Sequence, residues 1–142
     1  MTDNRCLHTL PIRIYYEDTD AGGVVYYANY LRFFERARTE CLRSLGHEQQ
    51  QMAAQTGCLF VVRQASLNYR APARLDDELL IVSSLQRIGR ATVTFEQRCE
   101  RNGSLLVEGS IEIACVDKDT FRPRPLPAAL KQDLESSQSS LS

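Results

Sequence analysis

Histidine is scarce in this sequence, because the 142 residues include only His8 and His47. Neither histidine lies in a recognisable catalytic motif, and the sequence has no G-x-S-x-G motif and no cluster of metal-ligand residues. The common hydrolase designs that use a histidine base or a bound metal ion therefore lose support. If the chain is an enzyme, we expect it to use carboxylates and backbone dipoles, with no metal and no redox cofactor.

Long apolar runs and a strong net charge are also missing. No stretch approaches the roughly 18 apolar residues that a membrane-spanning helix needs, and the first residues lack the basic and apolar regions of a signal peptide. The formal net charge is −1, which does not favour a nucleic-acid-binding surface. We expect a cytoplasmic protein with no membrane span and no nucleic-acid partner.

The cysteines show no recognisable pattern. They are Cys6, Cys41, Cys58, Cys99 and Cys115. An odd number at wide spacing, without a C-x-x-C pair, does not favour a disulfide framework or a zinc site. We expect small buried thiols in a reducing compartment.

The length suits one domain with a small core. We assign residues 1–135 to this domain. Residues 136–142 read SSQSSLS and offer almost nothing to bury, so we predict a disordered tail there.

The periodicity of the first third predicts a long helix. Between about residues 27 and 45, apolar side chains recur every three or four positions, which places them on one helical face. They are Tyr30, Phe34, Ala37, Cys41 and Leu45. Gly46 follows as a stop signal, and a shorter helix is predicted over about residues 48–55. A strand is predicted before the long helix, over about residues 11–16.

Beyond the second helix the sequence favours strands. Asn102-Gly103 is a strong hairpin signal, and the segment RIGR, from Arg87 to Arg90, is a weaker one. Sequential strands joined by tight turns form an antiparallel meander. We therefore predict an α+β domain in which an antiparallel sheet covers the apolar face of one long helix.

Residues 16–30, YEDTDAGGVVYYANY, place carboxylates, two glycines and a helix start close together. The carboxylates could cap a solvated turn by bonding their own backbone. A calcium loop fits poorly, because Asn29 stands where the twelfth-position glutamate ligand is needed. The third interpretation is a catalytic site.

A catalytic site is chemically reasonable, because the first turn of a helix presents free backbone N–H groups. These groups and the helix dipole can polarise an acyl carbonyl and stabilise the oxyanion that forms on attack. Gly22 and Gly23 allow the backbone to approach a ligand closely. An aspartate beside such a site can serve as a general base toward water or as a nucleophile.

The segment YYEDTDAGGVVYYANYLRFFERARTE resembles the signature of the hotdog-fold acyl-CoA thioesterases of the 4-hydroxybenzoyl-CoA thioesterase class. The match is closest to the YbgC branch, which is associated with the Tol-Pal system. It continues in FVVRQASLNYRAPARLDDELLI, in TFEQR and in ACVDKDTFRPRPLP, and so covers about residues 11–128.

The resemblance implies the hotdog fold, in which an antiparallel sheet wraps around one long central helix. It implies an acyl-CoA thioesterase that releases a free acid and coenzyme A, so that the coenzyme is part of the substrate. It also implies a homodimer or homotetramer with active sites at the dimer interface.

The same resemblance assigns roles to individual residues. Asp20 matches the catalytic aspartate, and the backbone N–H near Tyr27 matches the donor that polarises the thioester carbonyl. Many relatives in the YbgC branch carry histidine at the position of Tyr27, but every residue except proline donates a backbone N–H. Gly23 and Val24 are predicted to contact the substrate.

Coenzyme A carries phosphates, which arginine binds well because its fork donates two hydrogen bonds. The candidate phosphate-binding residues are Arg63, Arg87 and Arg90. Phe60, Val61 and Val62 are predicted to line the passage for the acyl and pantetheine groups. In the segment RLDDELL, Asp76 and Asp77 are predicted to form a turn at the start of a strand.

Two alternatives differ from a thioesterase. The chain could be a non-catalytic acyl-binding or interaction module, linked to phospholipid synthesis or envelope maintenance, with acyl carrier protein as a candidate partner. It could also be a hotdog dehydratase, but that chemistry generally uses a histidine with a carboxylate. Neither His8 nor His47 lies in a suitable motif.

Overall fold

The structure is a computed structural model that describes residues 6–140. Its helices and strands follow the chain in the order β1 (Cys6–Arg13), α1 (Asn29–Ser44), α2 (Gln49–Thr56), β2 (Cys58–Tyr69), β3 (Glu78–Ile88), β4 (Thr92–Arg101), β5 (Ser104–Asp117) and α3 (Ala128–Ser140). None of the helices in this part of the chain has the length and apolar character needed to cross a membrane.

The five strands form one antiparallel sheet in the order β1-β3-β4-β5-β2. The predicted meander of β3, β4 and β5 is confirmed. Its second turn has positive φ angles at both Asn102 (52°) and Gly103 (82°), as a tight two-residue hairpin turn requires. β1 and β2 form the two edges of the sheet.

Helix α1 packs its apolar side against this sheet. Phe34, Ala37 and Cys41 are fully buried and belong to the same hydrophobic cluster as Phe95 of β4 and Ile111 of β5. Their spacing of three to four residues keeps them on one helical face. The predicted arrangement of a single long helix against an antiparallel sheet is therefore confirmed.

Several element boundaries differ from the prediction. The predicted strand over residues 11–16 ends at Arg13, because the Tyr15 N–H donates to Oδ2 of Asp18 at 2.8 Å and closes a 3-10 turn over Tyr16–Asp18. The long helix begins at Asn29 and ends at Ser44. The second helix is displaced by one residue and ends at Thr56. Gly57 follows it, with a φ of 75° that gives the left-handed cap that glycine favours.

The C-terminal helix reaches into the segment predicted to be a disordered tail. Leu130 and Leu134 of α3 are fully buried and anchor it to the core. The helix continues to Ser140, so residues 136–140 of the predicted tail are helical and the predicted boundary at residue 135 falls inside α3. Residues 141–142 lie outside the described residues.

The fold brings one pair of cysteines together. Cys58 of β2 and Cys115 of β5 are buried neighbours, with their Cα atoms 5.9 Å apart. They are 57 positions apart in the sequence, and only the pairing of β2 with β5 brings them together. Cys41 and Cys99 are buried, whereas the side chain of Cys6 lies outside the described part.

Gly109 of β5 is expected to be a sensitive position, because β2 passes very close to it. A Cβ atom added there would lie 2.9 Å from the backbone oxygen of Ser66. A paired strand cannot move aside as a flexible side chain can, so Gly109→Ala should lower the free energy of unfolding by about 1–3 kcal/mol. Chemical denaturation measures this, with Ser110→Ala as the neighbouring control. Equal stability of the Gly109→Ala variant and the wild type would contradict the close packing.

Candidate active site

The loop that carries Asp20 is a tight turn before α1. Thr19 and Val25 form an antiparallel bridge, and inside it the Asp20 N–H donates to the Val24 carbonyl at 2.8 Å. The Gly23 N–H donates to the Asp20 carbonyl at 3.0 Å. Gly23 has a φ of 81°, which a residue with a side chain rarely adopts. The loop therefore holds Asp20 at a fixed position.

The carboxylate of Asp20 is exposed, and only one of its two oxygens accepts a hydrogen bond within the described residues. Its Oδ1 atom accepts the Gly22 N–H at 2.8 Å, which is the turn-capping contact that the sequence left open. Within residues 6–140, its Oδ2 atom accepts no hydrogen bond. The turn contact thus orients the side chain and leaves one oxygen available to a ligand.

The start of α1 is fixed beside this loop. The Tyr26 N–H and the Asn29 side-chain amide both donate to the Asp18 carbonyl, at 3.0 Å and 2.9 Å. The Tyr27 N–H donates no hydrogen bond within the described residues. Such an N–H beside the N-terminus of a helix can bind an oxyanion.

An aromatic cleft of about 270 Å³ opens at this helix end. Its walls include Val25, Tyr27, Tyr30, Tyr69 and Pro72. The Tyr69 ring lies edge-on to the rings of Tyr27 and Tyr30, with centroids 6.2 Å and 5.8 Å away. No role was predicted for Tyr69 from the sequence, and Tyr30 was predicted only as part of the apolar face of the long helix. The sequence feature that could have pointed to Tyr69 was an aromatic residue at the end of the predicted strand before Pro72.

Two tyrosines of the cleft, the buried Tyr30 and the half-exposed Tyr69, remain neutral phenols at neutral pH. Burial raises the pKa of Tyr30, although the hydrogen bond from the Ala73 N–H opposes the shift. Burial also raises the pKa of Tyr69, and the neighbouring Tyr27 adds to the effect. The cleft is therefore lined by apolar surface and neutral hydroxyl groups, together with the charged Arg70, which is paired with Glu108.

The segment behind the cleft is held by Asp77. Its Oδ2 atom accepts the Arg74 N–H at 2.8 Å and Nη1 of Arg101 at 2.7 Å. Partial burial raises the pKa of Asp77, but the hydrogen bonds from Arg101 and Arg74 outweigh it, so that the net pKa lies below the ordinary value of 3.8. Ala73, on the same segment, bonds Val25 and Tyr30 at the cleft. Asp77 therefore has the predicted turn role.

Replacing Asp77 by asparagine is expected to change how stability depends on pH. Because the folded-state pKa is lowered, the carboxylate stabilises the fold fully above about pH 5, and this contribution is lost as the pH falls through that pKa. Asp77→Asn should cost roughly 1 kcal/mol at pH 7 and much less at pH 3. Denaturation at both pH values measures this, with exposed Asp76→Asn as the control. A cost that is equal at both pH values would contradict the assignment.

The other predicted site residues lie elsewhere in the single chain. Val24 is in the Asp20 loop, but Phe60, Val61 and Val62 line a separate pocket of about 90 Å³. Arg63 is exposed, with its Nη1 3.5 Å from a carboxylate oxygen of Glu112.

Two predicted arginines are the most distant. Arg87 and Arg90 flank the turn between β3 and β4. β3 starts at Glu78, beside the cleft, and reaches Arg87 only after about 30 Å of strand. One chain therefore brings together Asp20, Gly23, Val24 and Tyr27, without the three arginines or the Phe60–Val62 segment. Among residues 6–140, no three His, Cys, Asp or Glu side chains come together in a way that could hold a metal ion.

Comparison with known proteins identifies the family to which the chain belongs. Residues 22–108 match the sequence profile of the thioesterase superfamily. The acyl-CoA thioesterase YbgC of Haemophilus influenzae is 45% identical over 123 residues, which cover 87% of this chain and 90% of that protein. The acyl-CoA thioester hydrolase YbgC of Escherichia coli is 44% identical over 128 residues, which cover 89% and 95% of the two chains.

The solved structures agree with these sequence matches. A probable thioesterase from Bartonella henselae has a TM-score of 0.81 and 38% sequence identity, and the match covers 84% of this chain and 98% of that one. The predicted hotdog fold is confirmed. The chain therefore belongs to the thioesterase superfamily, and within it to the family of the YbgC acyl-CoA thioesterases.

Proposed function

We propose that this protein hydrolyses an acyl-CoA thioester to a free acid and coenzyme A, with Asp20 and the Tyr27 N–H as its catalytic groups. The single observation that carries the proposal is the Tyr27 N–H at the start of α1, which makes no hydrogen bond within the described residues. It lies on the chain segment that pairs with the Asp20 loop, where one oxygen of the Asp20 carboxylate is also without a hydrogen bond. The printed names of the Haemophilus influenzae and Escherichia coli relatives support the same substrate class.

The proposed reaction uses these two groups in sequence. The thioester carbonyl oxygen accepts the Tyr27 N–H, and attack on the carbonyl carbon places negative charge on that oxygen, where the helix dipole stabilises it. Asp20 either removes a proton from the attacking water or attacks the carbon itself and forms an anhydride that water then opens. The C–S bond breaks, and the departing thiolate of coenzyme A takes up a proton.

A second copy of the chain would complete this site. β2 is a long edge strand with Val62 54% exposed, and an uncovered edge favours pairing with another strand. If two β2 strands pair antiparallel about a two-fold axis, the start of one lies beside the end of the other. The Phe60–Val62 segment of one copy would then approach the Tyr69 cleft of the other. We propose a homodimer, or a tetramer made from two dimers, with Arg63, Arg87 and Arg90 as phosphate-binding candidates.

The biological setting is proposed more broadly. The cytoplasm is the proposed compartment, and acyl carrier protein thioesters are a second substrate class to test. An association with the Tol-Pal system rests on the resemblance alone. No structural observation favours a non-catalytic binding module over the enzyme.

The direct test of the function is hydrolysis by the purified full-length protein. Acyl-CoAs with short, medium, long and aromatic acyl groups are supplied, and the released thiol of coenzyme A is followed with time. We expect turnover of at least one acyl class. If the protein binds these thioesters but hydrolyses none of them, and hydrolyses no acyl carrier protein thioester, the proposed function is wrong and the binding module takes its place.

A further inference from the structure

Arg38 of α1 is a charged side chain held inside the protein, because only 6% of it is exposed. Its Nη1 atom donates to the side-chain oxygen of Gln97 at 3.0 Å. The Gln97 amide nitrogen in turn donates to the Phe34 carbonyl at 3.0 Å and to Oγ of Ser83 at 2.9 Å. Gln97 and Ser83 are fully buried.

The polarity of this network is fixed by its chemistry. A backbone carbonyl can only accept a hydrogen bond and a guanidinium can only donate one, so the Gln97 amide has a single orientation that satisfies both. The buried residues of β3 and β4 therefore hold the guanidinium of Arg38 at a defined place. The contact with Gln97 leaves the edge formed by Nε and Nη2 for another partner.

That edge faces a small pocket. The pocket has a volume of about 90 Å³, with Arg38, Thr39 and Gln49 on its polar side and Phe60, Val61 and Ile113 on its apolar side. Within residues 6–140, neither Nε nor Nη2 of Arg38 makes a hydrogen bond. Neither atom is completely buried, so each keeps some accessible surface. Both nitrogens therefore reach the open side of the guanidinium, which is the pocket.

The guanidinium is charged and has no ion-pair partner in the described part of the chain. Burial lowers the pKa of Arg38 to about 10, against an opposing effect of Glu35, so the group stays protonated at neutral pH. Glu35 also lines the pocket, but it is exposed and its charge is screened by solvent. A buried cation without an anion is costly, and the Nε–Nη2 edge matches the two oxygens of a carboxylate.

Helix α1 begins beside the candidate active site, and Arg38, nine residues after its start, lines the pocket. Leu31 and Glu35 are spaced by four residues and share one face of this helix, and Leu31 is 43% exposed on it. The helix begins at Asn29, two residues after Tyr27, and rises about 14 Å from there to Arg38. Because a helical side chain tilts toward the N-terminus, an extended acyl chain of about eight to twelve carbons would span the remaining distance.

We propose that Arg38 binds a second carboxylate at the far end of the acyl chain, so that the preferred substrates are medium-chain acyl-CoAs that end in a carboxylate rather than a methyl group. The inference rests on the proposed thioesterase function and names its substrate class. The apolar surface of Leu31 and of the pocket wall would contact the methylene chain. Arg38 would bind the carboxylate at the end of that chain.

The test compares matched substrates that differ only at the far end. Purified full-length protein is given decanoyl-CoA and the thioester of the ten-carbon dicarboxylic acid, together with the eight- and twelve-carbon pairs. We expect kcat/KM to be about 10- to 100-fold higher for the carboxylate-ended member of the best pair. Arg38→Met should remove this preference and leave turnover of decanoyl-CoA within about threefold of the wild type.

Two further variants test whether the substrate preference comes from the geometry of the Arg38 guanidinium or from the loss of any positive charge on the helix. Arg38→Lys retains the charge and loses the two-pronged geometry, so it should keep only part of the preference. Arg36→Met removes an exposed arginine from the same helix and should leave the preference unchanged. The measurements on the wild type need no variant to fold, so an unstable Arg38→Met protein does not weaken the test.

The outcomes distinguish this inference from the proposed function. If the wild type hydrolyses acyl-CoAs but prefers methyl-ended chains at every length, the inference is wrong and the function stands. If the preference is absent and Arg38→Met changes the oligomeric state in light scattering, the guanidinium binds a second copy of the chain instead. If no acyl-CoA is hydrolysed, the function fails, and calorimetric affinities for the same pairs decide whether Arg38 reads the carboxylate.

Discussion

Asp20→Asn is expected to reduce kcat/KM for the best acyl-CoA by about 10²–10⁴-fold, because the amide can neither accept a proton from water nor attack a carbonyl. The fold should be unaffected. The asparagine side chain keeps an oxygen that can accept the Gly22 N–H, which is the contact that Oδ1 of Asp20 makes. Thiol release measures the activity, and thermal unfolding checks the stability.

The matched control for this variant is Glu17→Gln. Glu17 is an exposed carboxylate in the 3-10 turn just before the loop, so its replacement changes the net charge equally. We expect Glu17→Gln to retain nearly all activity. Equal losses in the two variants would show that a general charge effect, rather than a reacting group at position 20, underlies the result.

Tyr27→Pro should lower kcat by about 10²–10³-fold, because proline lacks the N–H that is proposed to bind the oxyanion. Tyr27→Phe keeps this N–H and should remain close to wild type. The hydroxyl of Tyr27 is therefore dispensable in this account, and the backbone is not. Proline is tolerated before and within the first turn of a helix, so the variant should fold, which circular dichroism checks.

A mechanism that uses the Tyr27 side chain predicts a different result for Tyr27→Phe. If the Tyr27 hydroxyl took part in proton transfer, Tyr27→Phe would lose most activity. That result would contradict the backbone role. Retained activity in Tyr27→Pro would contradict it as well, since no N–H would then be needed at this position.

Features that depend on neighbouring residues were predictable from the sequence. The apolar period of α1 set its buried face, and Asn102-Gly103 set the hairpin between β4 and β5, since both depend on local geometry. The boundary of β1 was missed because a single side chain, Asp18, captures the Tyr15 N–H and turns the chain. The Asp20 loop was found through its motif, which is also local.

Features that depend on distant residues were not predictable. Tyr69 forms a hydrogen bond with Tyr27, 42 positions away in the sequence, and Arg38 forms one with Gln97, 59 positions away. Cys58 meets Cys115 only because β2 lies beside β5 at the sheet edge. No periodicity or spacing encodes these contacts, since they follow from strand order. The distance of Arg87 from the cleft is likewise a property of the sheet, and it is what makes a second copy of the chain part of the proposed site.

The measurement that tests the central claim most directly is a crystal structure with a non-hydrolysable acyl-CoA analogue, in which a methylene group separates the carbonyl from sulfur. The account predicts the analogue's carbonyl oxygen about 2.7–3.1 Å from the Tyr27 nitrogen, with the Asp20 carboxylate facing the carbonyl carbon. A carbonyl bound away from the start of α1, with Asp20 still turned to solvent, would contradict the account.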